Sequence, residues 1–382
     1  MSVSIVKLDN PIQPYAWGSR VAIASLQGRD VPSDGPEAEL WIGDHPTAPS
    51  RVDSAQGGIS LPDWIARDPG AVLGGAGSSL PFLAKVLAAE RSLSVQVHPD
   101  AEQARRGHAR EERAGTPRDR RCYPDANAKH EVLVALSSFE ALCGFRVDAE
   151  VEAHLPAFPS LSDSMPSDDR PLAVRLFECL QRLDASGRQR LAAEVASFGC
   201  GPSRESQWTA RLAEQHPGDP LVVAPVLLNP VTLAPGEGLV VRPGTVHSYL
   251  SGIGVEVLTR SDNVIRGGLT PKHVDALELA RVIVPEAGPA EVVHAREVES
   301  GSRAYRTGTP AFTLHVHETL PDRAWRRAGA GVTVLLCVAG EVEVAEGAAT
   351  LSLGGGEACL VPAGVEAYTL RGTATVFEVS SG

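Results

Sequence analysis

Two side chains that can bind a metal ion, Gln96 and His98, lie two positions apart in the segment LSVQVHPD at 93–100. Apolar and polar residues alternate through this segment, and a period of two predicts a β-strand. In such a strand both side chains share one face, roughly 6–7 Å apart along the chain, so both can reach one small ion. Pro99 removes a backbone donor and predicts the end of the strand. A half-exposed strand whose polar face meets water is the alternative for this segment taken alone.

Further ligands for the same ion are expected from two later segments. A strand beginning near Lys129 places Lys129 and Glu131 on one face and His130 on the other, so Glu131 or His130 could be a ligand, but a period of two disfavours both. His247 begins a strand shortly after a Pro-Gly turn. Imidazoles, a carboxylate and an amide oxygen suit Zn²⁺, and the lack of a thiolate argues against a closed structural site. The candidate ligands are Gln96, His98, Glu131 and His247.

Three cations are placed where a negatively charged substrate could use them. Lys85 interrupts the apolar run 80–87, where burying an ammonium group is costly unless it meets an anion or carboxylate. Lys85 is therefore either an edge residue or a functional cation. Arg266 and Lys272, in a polar run with two glycines, could clamp a phosphate, although a plain charged loop is the alternative. A zinc site with one carboxylate keeps a charge of about +1 and could stabilise an enediolate.

An internal repeat indicates how these residues are positioned. Residues 236–250 align without gaps with 356–370, and both copies keep a glycine turn, a short strand and a Pro-containing turn. The first copy resembles the second motif of cupins, small jelly-roll barrels that aim a histidine into the barrel mouth. Because Ala367 replaces His247 in the second copy, we expect a mainly β protein with two jelly-roll barrels, the first metal-binding and the second degenerate. His315 and His317 are expected to be exposed strand residues.

The middle of the chain changes from a strand to a helical pattern. Apolar residues between 172 and 198 recur at helical spacing, which predicts a helical insertion over 148–219. The predicted domains are a discontinuous catalytic barrel (1–147 and 220–265), this insertion, and a degenerate barrel (266–382). The Arg-rich segment 101–121 is expected to form a solvated helix and loop.

Composition excludes several classes of protein. The chain has 382 residues, 43% of them hydrophobic, and a formal charge of −12, which argues against nucleic acid or an anionic membrane as the main partner. Its six cysteines form no CxxC pair and predict reduced thiols in a cytoplasmic protein. Residues 1–10 do not resemble a signal peptide, and no window of 18 apolar residues predicts a membrane span. We expect a monomer that acts on a small molecule.

Six motifs follow one another over residues 15–272. They are YAWGS (15–19), AELWIGDHPTAPS (38–50), LSVQVHPD (93–100), DANAKHE (125–131), PGTVHSYL (243–250) and SDNVIRGGLTPK (261–272). In sequence and order they resemble the motifs of the type I phosphomannose isomerase (mannose-6-phosphate isomerase) family, whereas the last third of the chain resembles that family only in its degenerate cupin pattern.

The resemblance implies one Zn²⁺ per chain, held by Gln96, His98, Glu131 and His247, and so favours Glu131 over His130. It also implies that Arg266 is the active-site arginine. Two features depart from the family pattern: the Arg-rich loop 105–121, and Ala128, where members often have histidine.

The implied reaction interconverts mannose 6-phosphate and fructose 6-phosphate by moving a proton between C2 and C1 through a cis-enediol. Lys85, Lys129 and Glu256 are candidates for the acid–base and orienting roles, and a lysine near a metal could act as the base if its pKa were lowered. Ser94, Arg266 and Lys272 are the candidate substrate-binding residues. An isomerase of another sugar and a non-catalytic sugar-binding cupin are the alternatives.

Overall fold

The computed structural model describes residues 4–52, 58–75, 77–162, 168–321, 325–328 and 331–382. Its strands are β1 Val6–Asp9, β2 Ile12–Gln13, β3 Glu39–Ile42, β4 Arg51–Val52, β5 Ile59–Ser60, β6 Phe82–Ala89, β7 Val95–Val97, β8 Glu131–Ala135, β9 Phe139–Phe145, β10 Leu228–Leu233, β11 Glu237–Val241, β12 His247–Thr259, β13 Ile265–Gly268, β14 Val292–His294, β15 Arg296–Glu299, β16 Ser302–Tyr305, β17 Phe312–Thr319, β18 Trp325–Ala328, β19 Thr333–Glu346, β20 Ala349–Leu353, β21 Ala358–Val361 and β22 Ala367–Ser381. Its α-helices are α1 Ala22–Leu26, α2 Leu61–Ile65, α3 Pro69–Leu73, α4 Ala101–Ala114, α5 Asp148–Glu152, α6 Pro159–Ser162, α7 Leu172–Arg182, α8 Ala185–Phe198, α9 Arg204–Gln215, α10 Ala224–Leu227 and α11 Ala276–Val282.

Two antiparallel sheets form the framework, which confirms the prediction of a mainly β protein. In the first sheet, neighbouring strands follow the order β14-β11-β8-β12-β6-β3-β2, and β7, β9, β10 and β13 join it around β12. The second sheet follows the order β15-β16-β17-β22-β19-β21-β1-β4-β5, with β18 and β20 paired to β22 and β19. The long strand β12 connects both parts of the first sheet, because its start pairs with β7 and β9 and its end with β6 and β8.

Strand β6 shows why the region around Lys85 is a continuous apolar run. Every residue of this strand is buried. Ala84 and Val86 belong to the apolar core shared with the second sheet, whereas Leu87 belongs to the interior cluster of the first sheet. Alternate side chains of β6 therefore face two different apolar cores. Because both faces of the strand are covered, most residues on each face must be apolar. Lys85 lies on the interior face and needs partners there.

Strand pairing connects segments that are far apart in sequence. β13 pairs with β7, and β14 pairs with β11, so both belong to the first sheet although they lie beyond residue 265. Conversely, β1 pairs with β21 of the second sheet. Sheet membership therefore does not change at residue 266, whereas the predicted division into domains stays a prediction.

Helices occupy the segment for which helical spacing was predicted. From α5 to α9 they lie between residues 148 and 215, and the apolar face of α7 packs into a core with Val95, Val97 and Ile265 of the first sheet. The Arg-rich segment forms α4 and a 3₁₀ turn at Arg118–Arg120, with most of its arginines exposed, as predicted. Asp100 caps α4 by accepting hydrogen bonds from the backbone of Glu102 and Gln103, so the helix begins at Ala101, two residues after Pro99.

Both copies of the internal repeat form the same elements. A short strand (β11 or β21) leads through a turn into a long strand (β12 or β22), and His247 and Ala367 are the first residues of the two long strands. The expected exposure of His317 is wrong, because its side chain is fully buried and its Nε2 lies 3.0 Å from Glu378 Oε2. No helix in the described parts of the chain has the length and apolar content needed to cross a membrane.

Candidate metal centre and active site

Four strands converge where the candidate ligands lie. Gln96 in β7 is the cross-strand partner of both His247 in β12 and Arg266 in β13, so these three residues form a row across neighbouring strands. His98 follows β7 directly, and Glu131 begins β8. His98, Glu131 and His247 are buried, and each offers a ligand atom within 4.8 Å of the others.

Backbone carbonyls orient both imidazoles. His98 Nδ1 lies 2.7 Å from the Asn263 carbonyl oxygen, and His247 Nδ1 lies 3.0 Å from the Thr245 carbonyl oxygen. Because a carbonyl only accepts, each Nδ1 carries the proton and each Nε2 keeps a free lone pair. Burial, together with the charge of Lys129, lowers the pKa of His98 to about 4, so this imidazole is neutral at neutral pH.

The Nε2 atoms of both imidazoles lie beside the carboxylate of Glu131. His98 Nε2 lies 3.3 Å from Glu131 Oε1, and His247 Nε2 lies 3.4 Å from Oε2. In the described residues, His98 Nε2 and Glu131 Oε2 are buried without a hydrogen-bond partner. Burial would raise the pKa of Glu131, but the Lys129 ammonium, 3.0 Å away, holds it well below its usual range. A cation bound between these facing acceptor atoms would satisfy all of them, so the three side chains fit a divalent metal ion.

Gln96 lies at the edge of this group. Its Nε2 is 3.3 Å from His247 Nε2, and its Oε1 accepts a hydrogen bond of 3.0 Å from the Ser94 hydroxyl. A half-turn of the amide exchanges its two ends, which turns the oxygen toward the metal ligands and lets the nitrogen donate to Ser94. The amide can therefore supply a fourth ligand without moving the strand.

Lys85 is surrounded by carboxylates beside the metal ligands. Its Nζ lies 3.4 Å from Glu39 Oε1 and 3.3 Å from Glu256 Oε2, and it lies 5.2 Å from the ring centroid of Trp41. Burial would lower the pKa of Lys85, but Glu39 and Glu256 raise it above its usual value. Lys85 is therefore held as a cation between two carboxylates, and the hypothesis that a lysine of lowered pKa acts as the base stays a prediction.

The pKa of Glu256 is also raised, but for a carboxyl group a raised pKa favours the neutral form. Burial, with the nearby charges of Glu131 and Glu39, raises the pKa of Glu256 to about 7, although Lys85 opposes this shift. A carboxyl group with this pKa can both accept and return a proton at neutral pH.

Arg266, the cross-strand partner of Gln96, has a second cation, Lys272, as its neighbour. Among the residues that the structure describes, no carboxylate lies at ion-pair distance from Arg266 or Lys272. Burial lowers the pKa of Arg266, and partial burial and the charge of Arg266 lower that of Lys272. Two neighbouring cations without a counter-ion fit a doubly charged anion such as a phosphate.

Comparison with known proteins identifies the family. A family model described as the catalytic domain of type I phosphomannose isomerase matches residues 5–148. Mannose-6-phosphate isomerase from Escherichia coli is 36% identical over 379 residues, which cover 96% of this chain and 97% of the relative. The chain belongs to the type I phosphomannose isomerase family.

Solved structures of this family agree with the fold. A crystal structure of a zinc-bound mannose 6-phosphate isomerase superposes with a TM-score of 0.92 at 32% identity and covers 99% of this chain and 100% of that one. A variant of phosphomannose isomerase from Salmonella typhimurium gives the same TM-score, identity and coverage. The resemblance found in the sequence motifs is thereby confirmed.

Several polar residues of the site were not singled out from the sequence. Glu39, a partner of Lys85, is an acidic residue in an apolar segment, the same signal that drew attention to Lys85. His45 Nε2 lies 2.9 Å from Asp262 Oδ2, a pair that no local pattern predicts. The carbonyl of Asn263, which orients His98, belongs to the backbone, so its role carries no signal in residue type.

Proposed function

We propose that this chain interconverts mannose 6-phosphate and fructose 6-phosphate with one Zn²⁺ held by Gln96, His98, Glu131 and His247. The observation that carries the proposal is the row of His247, Gln96 and Arg266 across three strands, because it sets an unpaired guanidinium beside a metal-ligand group. Membership of the isomerase family supports the same substrate.

When bound, the zinc ion supplies positive charge that makes the proton at C2 more acidic and stabilises negative charge on the sugar oxygens. The protein residues prepare the ligands for the ion. The carbonyls of Asn263 and Thr245 keep both imidazoles in the tautomer that can bind a metal. Lys129, 3.0 Å from Glu131, keeps that carboxylate ionised.

Glu256 is the residue best suited to move the proton. In the open-chain aldose a proton leaves C2 for the Glu256 carboxylate as O1 takes a proton from a donor, for which Lys129 is the candidate, and this gives a cis-enediol. Glu256 then gives its proton to C1 as O2 returns a proton to that donor, which forms the ketose. A carboxyl group with a pKa near neutral can accept the first proton and return it to C1. Lys85, fixed between Glu39 and Glu256, stays protonated and orients the Glu256 carboxylate.

The remaining candidates bind the charged parts of the substrate. Arg266, beside Gln96 in the strand row, stabilises negative charge on the enediol oxygens. Lys272 and the hydroxyl of Ser94 are assigned to the phosphate, which a compact ammonium group and a hydroxyl donor can bind.

We also infer the finer architecture from the sheets and the repeat. Each sheet with its long strand corresponds to one jelly-roll barrel of the cupin type, and only the first carries the ligands, since Ala367 begins the long strand of the second. The domain bounds predicted from the sequence differ from these sheets, because β1, β4 and β5 pair within the second sheet and β13 and β14 within the first, so those bounds stay a prediction. A monomeric state and a cytoplasmic location belong to the same proposal.

An isomerase assay combined with metal analysis tests the function. The zinc-loaded protein is expected to convert mannose 6-phosphate, to lose this activity on chelation and to regain it with Zn²⁺. Free mannose is the matched control substrate. Faster conversion of mannose would favour an isomerase of another sugar, and binding of mannose 6-phosphate without conversion would favour a non-catalytic sugar-binding protein.

A further inference from the structure

Tyr15 lies on a turn that is fixed to the strand carrying Lys85. The backbone N–H of Gly18 donates to the Tyr15 carbonyl at 2.9 Å, and Gly18 forms a bridge with Ala89 at the end of β6. A Cβ at position 18 would lie 2.5 Å from the backbone of Ala38, so only glycine permits this approach. The turn therefore holds the Tyr15 ring in a defined place relative to the active site.

The ring of Tyr15 contacts the ammonium group of Lys272. Lys272 Nζ lies 5.3 Å from the ring centroid, within the range of a cation–π interaction. The Tyr15 ring is also stacked on the ring of Trp17, with centroids 5.8 Å apart and an interplanar angle of 27°. Lys272 itself is exposed and belongs to no helix or strand.

Lys272 needs such support because its charged neighbours do not fix it in place: Arg266 repels it, and Glu39 attracts it from beyond ion-pair distance. Arg266 carries the same charge, and no carboxylate in the described residues is close enough to either cation to form an ion pair. A long exposed side chain repelled by its neighbour would occupy many rotamers. It would lose this conformational entropy on binding a phosphate, which weakens binding. An aromatic ring fixed in place reduces this loss.

We propose that Tyr15 is a positioning residue that sets the preference for phosphorylated sugars, because its ring holds the Lys272 ammonium ready for the phosphate group. The inference rests on the proposed function and assigns to it a residue outside the metal and proton-transfer groups. Tyr15 acts through Lys272, and it acts through its aromatic face rather than its hydroxyl.

Matched variants of the zinc-loaded enzyme separate the ring from the hydroxyl. Tyr15→Phe keeps the ring and is expected to match the wild type, whereas Tyr15→Leu removes it. For Tyr15→Leu we expect KM for mannose 6-phosphate to rise roughly two- to tenfold, the effect of a cation–π contact near the surface, with kcat unchanged. Glucitol 6-phosphate, which has no carbonyl group and cannot be isomerised, should lose affinity by the same factor in calorimetry, and unphosphorylated glucitol should not.

Three outcomes would overturn the inference. They are equal losses in Tyr15→Phe and Tyr15→Leu, a loss of affinity for glucitol as large as for its phosphate, and fully additive effects of Tyr15→Leu and Lys272→Ala in the double variant.

A second variant serves if Tyr15→Leu folds poorly. Ring-fluorinated phenylalanine at position 15 keeps the shape of the ring and reduces the negative charge on its face, so it gives the same comparison. The calorimetric result needs no turnover, and a wild type that binds glucitol 6-phosphate without isomerase activity would refute the proposed function alone.

Discussion

His247 and Glu256 lie on the same strand, an odd number of residues apart, and yet both contribute to one site. In a regular strand an odd separation places two side chains on opposite faces. Here the pairing of β12 with β9 shifts register between Tyr249 and Ser251, and this irregularity reverses the alternation. His247 therefore faces Glu131, and Glu256 contacts Lys85 on the same interior side. The irregular strand thus brings a candidate metal ligand and the proposed proton-transfer group into one site.

Removal of an imidazole is expected to remove the metal. His247→Ala should give a folded protein with little bound zinc, because the three remaining candidate ligands include only one imidazole. Metal analysis after purification with added Zn²⁺ measures the occupancy, and circular dichroism checks the fold. His294→Ala, which changes an exposed histidine at the edge of the first sheet, is the control and should keep its zinc. Full occupancy in His247→Ala would exclude this residue from the site.

Loss of the Arg266 side chain should separate activity from metal binding. Arg266→Ala is expected to reduce kcat by roughly 10²–10³-fold, as for other groups that stabilise charge in the transition state. Its zinc content should stay at the wild-type level, since Gln96 and not Arg266 is the expected ligand in the strand row. Arg296→Ala, on an exposed edge strand, is the control for a lost surface arginine. A simultaneous loss of zinc would contradict this division of roles.

Local sequence patterns predicted part of this site. The alternation around Gln96 and His98 and the pair Lys129 and Glu131 were predictable, because each depends on neighbours two residues apart. The relation between His247 and Glu256 was not, since it depends on an irregularity in strand pairing that leaves no mark on simple alternation.

The second sheet shows the same limit of local patterns. The pattern His315-Val316-His317 fits an exposed strand face, but β17 lies between β16 and β22, and His317 is buried against Glu378. Burial of this kind is decided by tertiary packing and not by spacing along the chain.

Loss of Lys85, the buried cation between Glu39 and Glu256, should lower the free energy of unfolding. Lys85→Ala removes the cation that both buried acidic groups contact, and breaking a buried pair in this way typically costs about 3–5 kcal/mol of unfolding free energy. Denaturant unfolding of the zinc-loaded protein measures it.

An exposed lysine provides the matched control for Lys85. Lys7→Ala breaks the ion pair between Lys7 Nζ and Glu357 Oε1, which are 2.7 Å apart at the surface, and should cost less than about 1 kcal/mol. The double variant Glu39→Gln with Lys85→Ala should recover part of the loss, because one uncompensated carboxylate is removed. Equal stability of Lys85→Ala and Lys7→Ala would show that Lys85 does not neutralise the two carboxylates.

The raised pKa of Glu256 predicts how stability depends on pH. The pKa is about 7 in the folded protein and 4.5 for an unperturbed glutamate, so the folded state binds the proton more tightly. The resulting stabilisation is complete below pH 4.5 and is lost as the pH rises through 7. Glu256→Gln, which mimics the neutral acid, should therefore gain stability relative to the wild type between pH 5 and pH 8, by roughly 1–3 kcal/mol. Unfolding curves of both proteins at the two pH values measure this gain, and a difference that is constant with pH would show that Glu256 is ionised throughout.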